Sequence, residues 1–135
     1  MKIKNDNLPL PVSPHFALYL MSLLAGYENE KAVTINFRDP SYSAETGGYH
    51  PVEVRLENEG DGWRMVYITD FTFVGSGYMA ELAKELDFSF SDGVFQNLFG
   101  TFPIEQAVDI YQTWEANFLF YATVNQVFTL SFSTD

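Results

Sequence analysis

The strongest constraint on the fold is a segment in which apolar and charged residues alternate before a turn and a second apolar run. Over positions 52–57, Val and Leu alternate with Glu and Arg, a pattern typical of a strand with one buried and one solvated face. The sequence NEGDG at 58–62 supplies turn residues, and positions 63–74 have the composition of a longer strand. Together these segments predict a β-hairpin, which places antiparallel sheet in the fold.

Two other segments predict helices that cover a face of this sheet. Ser13 is a good N-cap and Pro14 suits the first helical position, so we expect a helix at about 14–26. A second helix is expected at about 103–121, because apolar residues recur at helical spacing after Pro103.

Further β signals complete a predicted sheet of about four to six strands. Positions 32–37 and 127–132 have strand patterns, whereas 78–90 fits either a helix or a strand in its first half and a strand in its last residues. The 135 residues contain no repeat or linker, so we expect a single domain spanning 1–135. The predicted class is α+β, with a mainly antiparallel sheet and the two helices on one face.

The charge distribution argues against direct nucleic-acid binding. The formal net charge is −11, and all seven Lys and Arg residues lie at or before Lys84. The base-free remainder of the chain cannot replace the counterions around phosphates, and it is equally unsuited to anionic lipids. An acidic protein can instead imitate nucleic acid, so a nucleic-acid mimic or inhibitor is one alternative function.

The composition also limits the chemistry and the compartment. Cysteine is absent, which excludes disulfides, thiol catalysis and thiolate metal sites. The N-terminus lacks the apolar stretch of a secretory signal. The longest apolar run, at 16–25, is shorter than the about 20 residues of a membrane-spanning helix. We therefore expect a cytoplasmic protein without a membrane partner.

The densest group of side chains that could bind a ligand or take part in catalysis is NFRDPSYSAETGGYHP at 36–51, which we term the 36–51 loop. It lies between two predicted strands and is long enough to form a surface site. Its aromatic and Arg side chains are of the kind that anchor interfaces, although the tyrosines could equally pack under the loop and hold it against the sheet. Together with one strand residue, the predicted binding residues are Arg38, Asp39, Tyr42, Glu45, Tyr49, His50 and Asp70.

Asp70 interrupts an otherwise apolar strand. Regular alternation places its side chain with that of Ile68, on the face opposite Met65. A carboxylate on a partly covered face must find hydrogen-bond donors, or its pKa rises. One interpretation is an acid–base or ligand-anchoring residue. The other is an ion pair with Arg55 or Arg64, or simple exposure.

His50 is the histidine within the 36–51 loop, and imidazole can act as a base or a metal ligand. No HxH, HxxxH or HExxH spacing accompanies it, and only carboxylates could complete a metal site around it. We therefore predict no metal, no cofactor and no catalytic residue.

A serine-hydrolase interpretation would combine Ser41 or Ser43 with His50 and Asp70, but the chain has no GxSxG motif. Triads are defined by geometry, so spacing does not decide the matter. A small hydrolase or lyase therefore stays as an alternative function. It would use His50 together with Asp39, Glu45 or Asp70.

Several segments resemble a family of small gammaproteobacterial proteins known only as a domain of unknown function. They are NFRDPSYSAETGGYHPVEVRLE, GW, YITDF and ELDFSF, followed by the helix that contains Trp114, Asn117 and Phe118. The resemblance spans nearly the whole chain and implies a self-contained bacterial domain, without implying catalytic residues. From the residues themselves, the leading prediction is a non-enzymatic module that binds a protein partner or a small-molecule ligand through the 36–51 loop.

Overall fold

The computed structural model describes all 135 residues and contains one eight-stranded sheet with two α-helices. Neighbouring strands along the path β7-β6-β5-β4-β3-β2-β8 are antiparallel, whereas the short β1 runs parallel to β4. In chain order the elements are β1 (Ile3–Lys4), α1 (Pro14–Leu24), β2 (Ala32–Arg38), β3 (Val52–Asn58), β4 (Trp63–Val74), β5 (Glu81–Ser89), β6 (Val94–Asn97), β7 (Gly100–Pro103), α2 (Val108–Leu119) and β8 (Thr129–Thr134).

The α+β class and the β3–β4 hairpin are confirmed, but the prediction of four to six strands is wrong. Two strands of four residues, β6 and β7, form a hairpin that the sequence VFQNLFGTFP does not reveal by alternation. The strand β1 has only two residues and therefore cannot be recognised from periodicity either. The ambiguous positions 78–90 are mainly strand, because β5 begins at Glu81 after a short 3₁₀ turn at Gly77–Met79.

Both helices are present, and both are shorter than predicted. Ser13 caps α1, since its Oγ accepts a hydrogen bond of 3.1 Å from the backbone N–H of Phe16. The expected second helix at 103–121 divides into three parts, a 3₁₀ turn at Ile104–Ala107, α2 itself and a π-helical turn at Phe120–Val124. Neither helix has the length and apolar character that crossing a bilayer requires.

Aromatic side chains join the two helices to the sheet. Trp114 stacks on Phe118 in α2 with ring centroids 5.0 Å apart, and Phe16 of α1 packs edge-on against both rings. Phe37 of β2 meets Phe118 at 5.0 Å. Phe88 of β5 contacts Tyr111 and Trp114 as well. These contacts hold α2 against β2 and β5, and they therefore set which helix residues face the end of the 36–51 loop.

Candidate functional site

A β-bulge in β4 decides where Asp70 points. Tyr67 pairs with Arg55 and Met65 pairs with Leu56, so Val66 between them has no partner on β3. The extra residue interrupts the strict alternation of side chains along the strand. Residues beyond Val66 therefore lie on the face opposite to the one that a regular strand would give them.

The consequence is that Asp70 faces the helices. It pairs directly with Val52, whose side chain is in the core, and residues directly opposite each other share a face. Met65 pairs with Leu56 and lies on this same face. The prediction that Asp70 and Met65 lie on opposite faces is therefore wrong, because alternation assumes an uninterrupted strand.

A second bulge lies in β5, next to the residue that pairs with Asp70. Leu86 pairs with Asp70 and Lys84 pairs with Phe71, so Glu85 is the unpaired residue of this bulge. Bulges are frequent beside functional sites, where they redirect a side chain. Here the two bulges bring an aspartate and a glutamate from neighbouring strands to the same histidine.

Asp70 lies at the centre of a hydrogen-bonded cluster. Its Oδ1 is 3.1 Å from Nδ1 of His50, and its Oδ2 accepts a hydrogen bond of 2.9 Å from Nε1–H of Trp114. The Asp70 side chain is only 13% exposed. Burial raises the pKa of Asp70, and Glu85 adds to that rise, whereas Trp114 and the charge of His50 act in the opposite direction.

The expected ion pair between Asp70 and Arg55 or Arg64 is not formed. Arg55 instead pairs with Asp135 at 2.7 Å, and Arg64 pairs with Glu57. Both arginines are thus engaged by other carboxylates. Asp70 takes its donors from an imidazole and an indole instead.

Glu85 belongs to the site although the sequence did not indicate it. Its Oε2 lies 2.7 Å from Nδ1 of His50. In the sequence AELAKELDF at 80–88, nothing distinguishes Glu85 from an ordinary solvent-exposed charged residue. A bulge exists only through the pairing of two strands, so no local sequence signal marks this residue.

A cavity of about 350 Å³ opens beside the cluster. Its volume is near the lower end of the range for small-molecule sites. Half of its lining residues are Phe, Tyr or Trp, and three polar side chains, those of His50, Asp70 and Asn117, also line it. The lining residues are Gly48, Tyr49, His50, Val52, Asp70, Trp114, Asn117, Phe118, Tyr121 and Phe128.

Asp39 organises the 36–51 loop and does not line the cavity. Its Oδ1 accepts hydrogen bonds of 2.9 Å from the backbone N–H and 2.6 Å from the hydroxyl of Ser41, and its Oδ2 accepts one of 3.0 Å from the N–H of Tyr49. The hydrogen bond from the Ser41 side chain, followed by that from the Tyr49 backbone, lowers the pKa of Asp39. This carboxylate therefore holds the two halves of the loop together.

The two tyrosines of the loop pack inward. The ring of Tyr42 stacks on Phe73 at 5.1 Å, and its hydroxyl accepts a hydrogen bond of 3.1 Å from the backbone N–H of Phe73. Tyr49 meets Tyr121 at 4.7 Å in the cavity wall. The remaining predicted residues, Arg38 and Glu45, are exposed and lie outside the cavity.

Neither Ser41 nor Ser43 makes a hydrogen bond to His50. The hydroxyl of Ser41 donates to Asp39, and that of Ser43 bonds to the hydroxyl of Thr46 at 2.6 Å. Of the predicted residues, the structure thus brings Tyr49, His50 and Asp70 together at the cavity.

Comparison with protein families gives a match over most of the chain. Residues 15–133 match the model of a family described as "Protein of unknown function (DUF2787)", which confirms the resemblance to a family of unknown function. The comparison with curated proteins gives no match.

Two solved structures of proteins from Vibrio cholerae, a gammaproteobacterium, are similar to this chain. A conserved hypothetical protein of pathogenicity island VPI-2 is 40% identical, with a TM-score of 0.84 over 97% of this chain and 99% of that chain. That protein is described as sharing structural homology with the human P32 protein. A hypothetical protein of the VSP-II pathogenicity island is 34% identical, with a TM-score of 0.84 over 96% of this chain and 99% of that chain.

Proposed function

The chain belongs to the DUF2787 family, and we propose that it binds a small organic ligand in the cavity beside His50 and Asp70. One observation carries this proposal: the carboxylate of Asp70, 13% exposed, lies in the wall of an aromatic cavity. Burial of a carboxylate away from any Lys or Arg costs free energy, and such groups concentrate at sites that recognise ligands. A cavity with apolar walls and a few convergent polar groups is the usual form of such a site.

The lining indicates the chemistry of the ligand. Rings of Tyr49, Trp114 and Phe118 offer flat apolar contacts to an aromatic or aliphatic body. His50, Asp70 and Asn117 supply donors and acceptors to the same cavity. The ligand that fits is a small molecule with an apolar body and one hydrogen-bonding head group.

The packing of the loop supports a small-molecule ligand over a protein partner. Tyr42 is only partly exposed, and its hydroxyl is already bonded to the backbone of Phe73. Tyr49 packs against Tyr121 and Phe128. Aromatic side chains that are already packed inside the protein contribute little to a flat protein–protein interface. Tyr49, in contrast, still lines the cavity and can contact a small ligand there.

Acid–base catalysis is the second candidate function, and the contact between His50 and Asp70 favours it. A carboxylate at Nδ1 fixes the imidazole tautomer and leaves Nε2 as the basic nitrogen. Turnover of p-nitrophenyl acetate would test this candidate. A rate above background that is lost in His50→Gln would support it, and equal rates for the two proteins would argue against it.

The nucleic-acid mimic has less support. Such a protein needs exposed, ordered carboxylates in place of phosphates. Within the acidic remainder of the chain, Glu115 is buried against Tyr111, Glu85 faces His50, and Asp135 pairs with Arg55.

Ligand-observed saturation-transfer NMR tests the proposed function directly. The probes are indole, benzoate and benzamidine, which share a flat body and differ in the charge of the head group. Fragments of this size bind with dissociation constants on the order of 1 mM. We expect at least one probe to give a signal with the wild-type protein.

A matched pair of variants locates the site. Asn117 is exposed and lines the cavity, so Asn117→Trp should fill the cavity mouth without disturbing the core. Phe99 is 93% exposed and lies outside the cavity, so Phe99→Ala is the control. Loss of the signal in Asn117→Trp alone supports the proposal. Its persistence in that variant, or its absence from the wild type, overturns it.

A further inference from the structure

Three atoms that can bind a metal ion meet beside the cavity, which His50 and Asp70 line. Nδ1 of His50 lies 3.1 Å from Oδ1 of Asp70 and 2.7 Å from Oε2 of Glu85, and all three atoms are within 4.8 Å of one another. An imidazole nitrogen carries at most one hydrogen and can donate it to only one of the two carboxylates. The arrangement therefore leaves one carboxylate without a proton donor.

Glu85 is the carboxylate without a donor. Its Oε2 is fully buried and makes no hydrogen bond, although the imidazole lies next to it. Buried side-chain oxygens nearly always have a hydrogen-bond partner, so an oxygen without one indicates that a water molecule or an ion binds there.

No Lys or Arg side chain neutralises the two carboxylates. Lys84, the nearest base in sequence, pairs with Asp87 at 3.6 Å. Arg55 and Arg64 form their ion pairs with other acids. Two acids and one imidazole thus share a partly buried position with an excess of negative charge, which attracts a cation.

We propose that His50, Asp70 and Glu85 bind a first-row divalent transition-metal ion, represented by Zn²⁺. Zinc bonds to imidazole nitrogen and carboxylate oxygen are about 2.0–2.2 Å long, and a tetrahedral angle then separates two ligand atoms by about 3.3 Å. The N–O separations of 2.7 and 3.1 Å are already close to that value. Small side-chain adjustments would admit the ion.

The donor set indicates the kind of metal. Imidazole nitrogen is a good ligand for Zn²⁺ and its neighbours in the first transition row, whereas Ca²⁺ and Mg²⁺ prefer oxygen ligands alone. One nitrogen and two carboxylates therefore favour Zn²⁺ over Ca²⁺. Three protein ligands also leave a fourth position for water or the head group of a ligand.

Trp114 supports the same interpretation. Its Nε1–H holds Oδ2 of Asp70 at 2.9 Å, which leaves Oδ1 directed at the histidine. Hydrogen bonds of this kind to the outer atom of a ligand orient it and tune metal affinity.

Isothermal titration calorimetry on untagged, chelator-treated protein tests the inference with ZnCl₂ and then CaCl₂ as probes. We expect one Zn²⁺ per chain with micromolar or tighter affinity, and much weaker Ca²⁺ binding. Glu85→Gln and Asp70→Asn each keep the side-chain shape and should weaken Zn²⁺ binding at least about tenfold. Glu81→Gln, an exposed acid on the same strand, is the matched control and should leave the affinity unchanged.

The outcomes separate this inference from the proposed function. The metal site shares His50 and Asp70 with the ligand cavity but requires no organic ligand, so Asn117→Trp should retain Zn²⁺ while it loses the aromatic probes. Absence of Zn²⁺ binding overturns the inference. Zn²⁺ affinity that is unchanged in both Glu85→Gln and Asp70→Asn also overturns it, because the ion would then lie elsewhere.

Discussion

Gly48 and Asp39 position the end of the 36–51 loop at the cavity. Gly48 has φ of +137°, and a Cβ at this position would lie 2.9 Å from Oδ2 of Asp39 and 3.0 Å from the Cα of Tyr42. That same oxygen of Asp39 accepts the hydrogen bond from the N–H of Tyr49. Only glycine permits this close approach, which aligns the backbone immediately before His50.

Gly48→Ala is therefore expected to displace the loop. We predict a loss of about 3 kcal/mol in the free energy of unfolding, from backbone strain together with the steric overlap, and weaker binding of the NMR probes. Urea unfolding provides the measurement. Gly47→Ala is the control, because Gly47 also has positive φ but has nothing within 4 Å of its added Cβ, and it should cost only about 1 kcal/mol. Equal losses for the two variants would contradict the steric argument.

Asp39 makes the stability of the loop depend on pH. The pKa of Asp39 is lowered in the fold, so its contribution is present above its ordinary pKa of about 4 and is lost as pH falls through the lowered value. Asp39→Asn places an amide against the N–H of Tyr49 and should cost at most about 1 kcal/mol at pH 7, since water screens this exposed group. In urea unfolding from pH 7 to pH 3, the difference from wild type should shrink below pH 4. A constant difference, or the same trend in Glu45→Gln, would count against this account.

At the scale of single elements, the two bulges bring side chains of two ordinary strands to His50. In a regular β4, Asp70 would lie on the face opposite Met65, and the bulge at Val66 reverses this. The bulge at Glu85 in β5 lies next to Leu86, the residue that pairs with Asp70. Helix α2 supplies Trp114 above the same point. The cluster around His50 thus depends on β4, β5 and α2, which contribute Asp70, Glu85 and Trp114.

Glu115 joins the two helices. It is 6% exposed, its Oε2 accepts a hydrogen bond of 3.0 Å from the backbone N–H of Ser13, and the hydroxyl of Tyr111 donates to the same oxygen at 2.6 Å. Burial and the negative charge of Glu115 both raise the pKa of Tyr111, which keeps the phenol protonated as the donor.

Glu115→Ala should destabilise the protein by about 2–4 kcal/mol, because the buried hydroxyl of Tyr111 and the partly buried N–H of Ser13 lose their acceptor. Thermal and urea unfolding would measure the loss. Glu105→Ala is the control, since Glu105 is exposed in the turn before α2, and it should change the stability by less than about 0.5 kcal/mol. A similarly small effect for Glu115→Ala would show that the link between the helices contributes little.

At the scale of the whole molecule, the sheet order joins distant parts of the chain. The last strand, β8, pairs with β2 and forms one edge of the main path, whereas β7 forms the other. Phe128, just before β8, packs on Phe37 and Phe118 and also lines the cavity. The C-terminal segment therefore both covers β2 and completes the cavity wall.

Removal of residues 127–135 should leave β2 as an exposed apolar edge. Such an edge pairs with other chains, so we expect oligomers or aggregates in size-exclusion chromatography. Arg55→Gln is the control, since it removes the ion pair with Asp135 but keeps β8; it also removes the contacts of Arg55 with Glu57 and Thr34. Each of these partly exposed contacts is worth at most about 1 kcal/mol. A truncated chain that elutes like the wild-type protein would show that β8 is dispensable for protecting this edge.

Local sequence patterns determined the elements with strong signals of their own. The alternation at 52–57 and the turn after it were sufficient for the β3–β4 hairpin, and Ser13 with Pro14 was sufficient for the start of α1. These features depend on neighbours within a few residues, so they can be recognised in the linear chain. The β6–β7 hairpin is too short to be recognised from periodicity, and its partner β5 lies within the ambiguous stretch 78–90.

The sequence by itself indicated the 36–51 loop, which contains Tyr49 and His50, and the strand residue Asp70 as candidates for a site. Only the tertiary structure decided that Asp70 faces the helices, that Glu85 joins it, and that Trp114 holds its second oxygen. Bulges arise from the pairing of separate strands, and a cavity arises from the packing of a helix over them. Neither interaction is encoded in the spacing of residues along one strand, which is why the alternation of residues in β4 predicts the wrong face for Asp70.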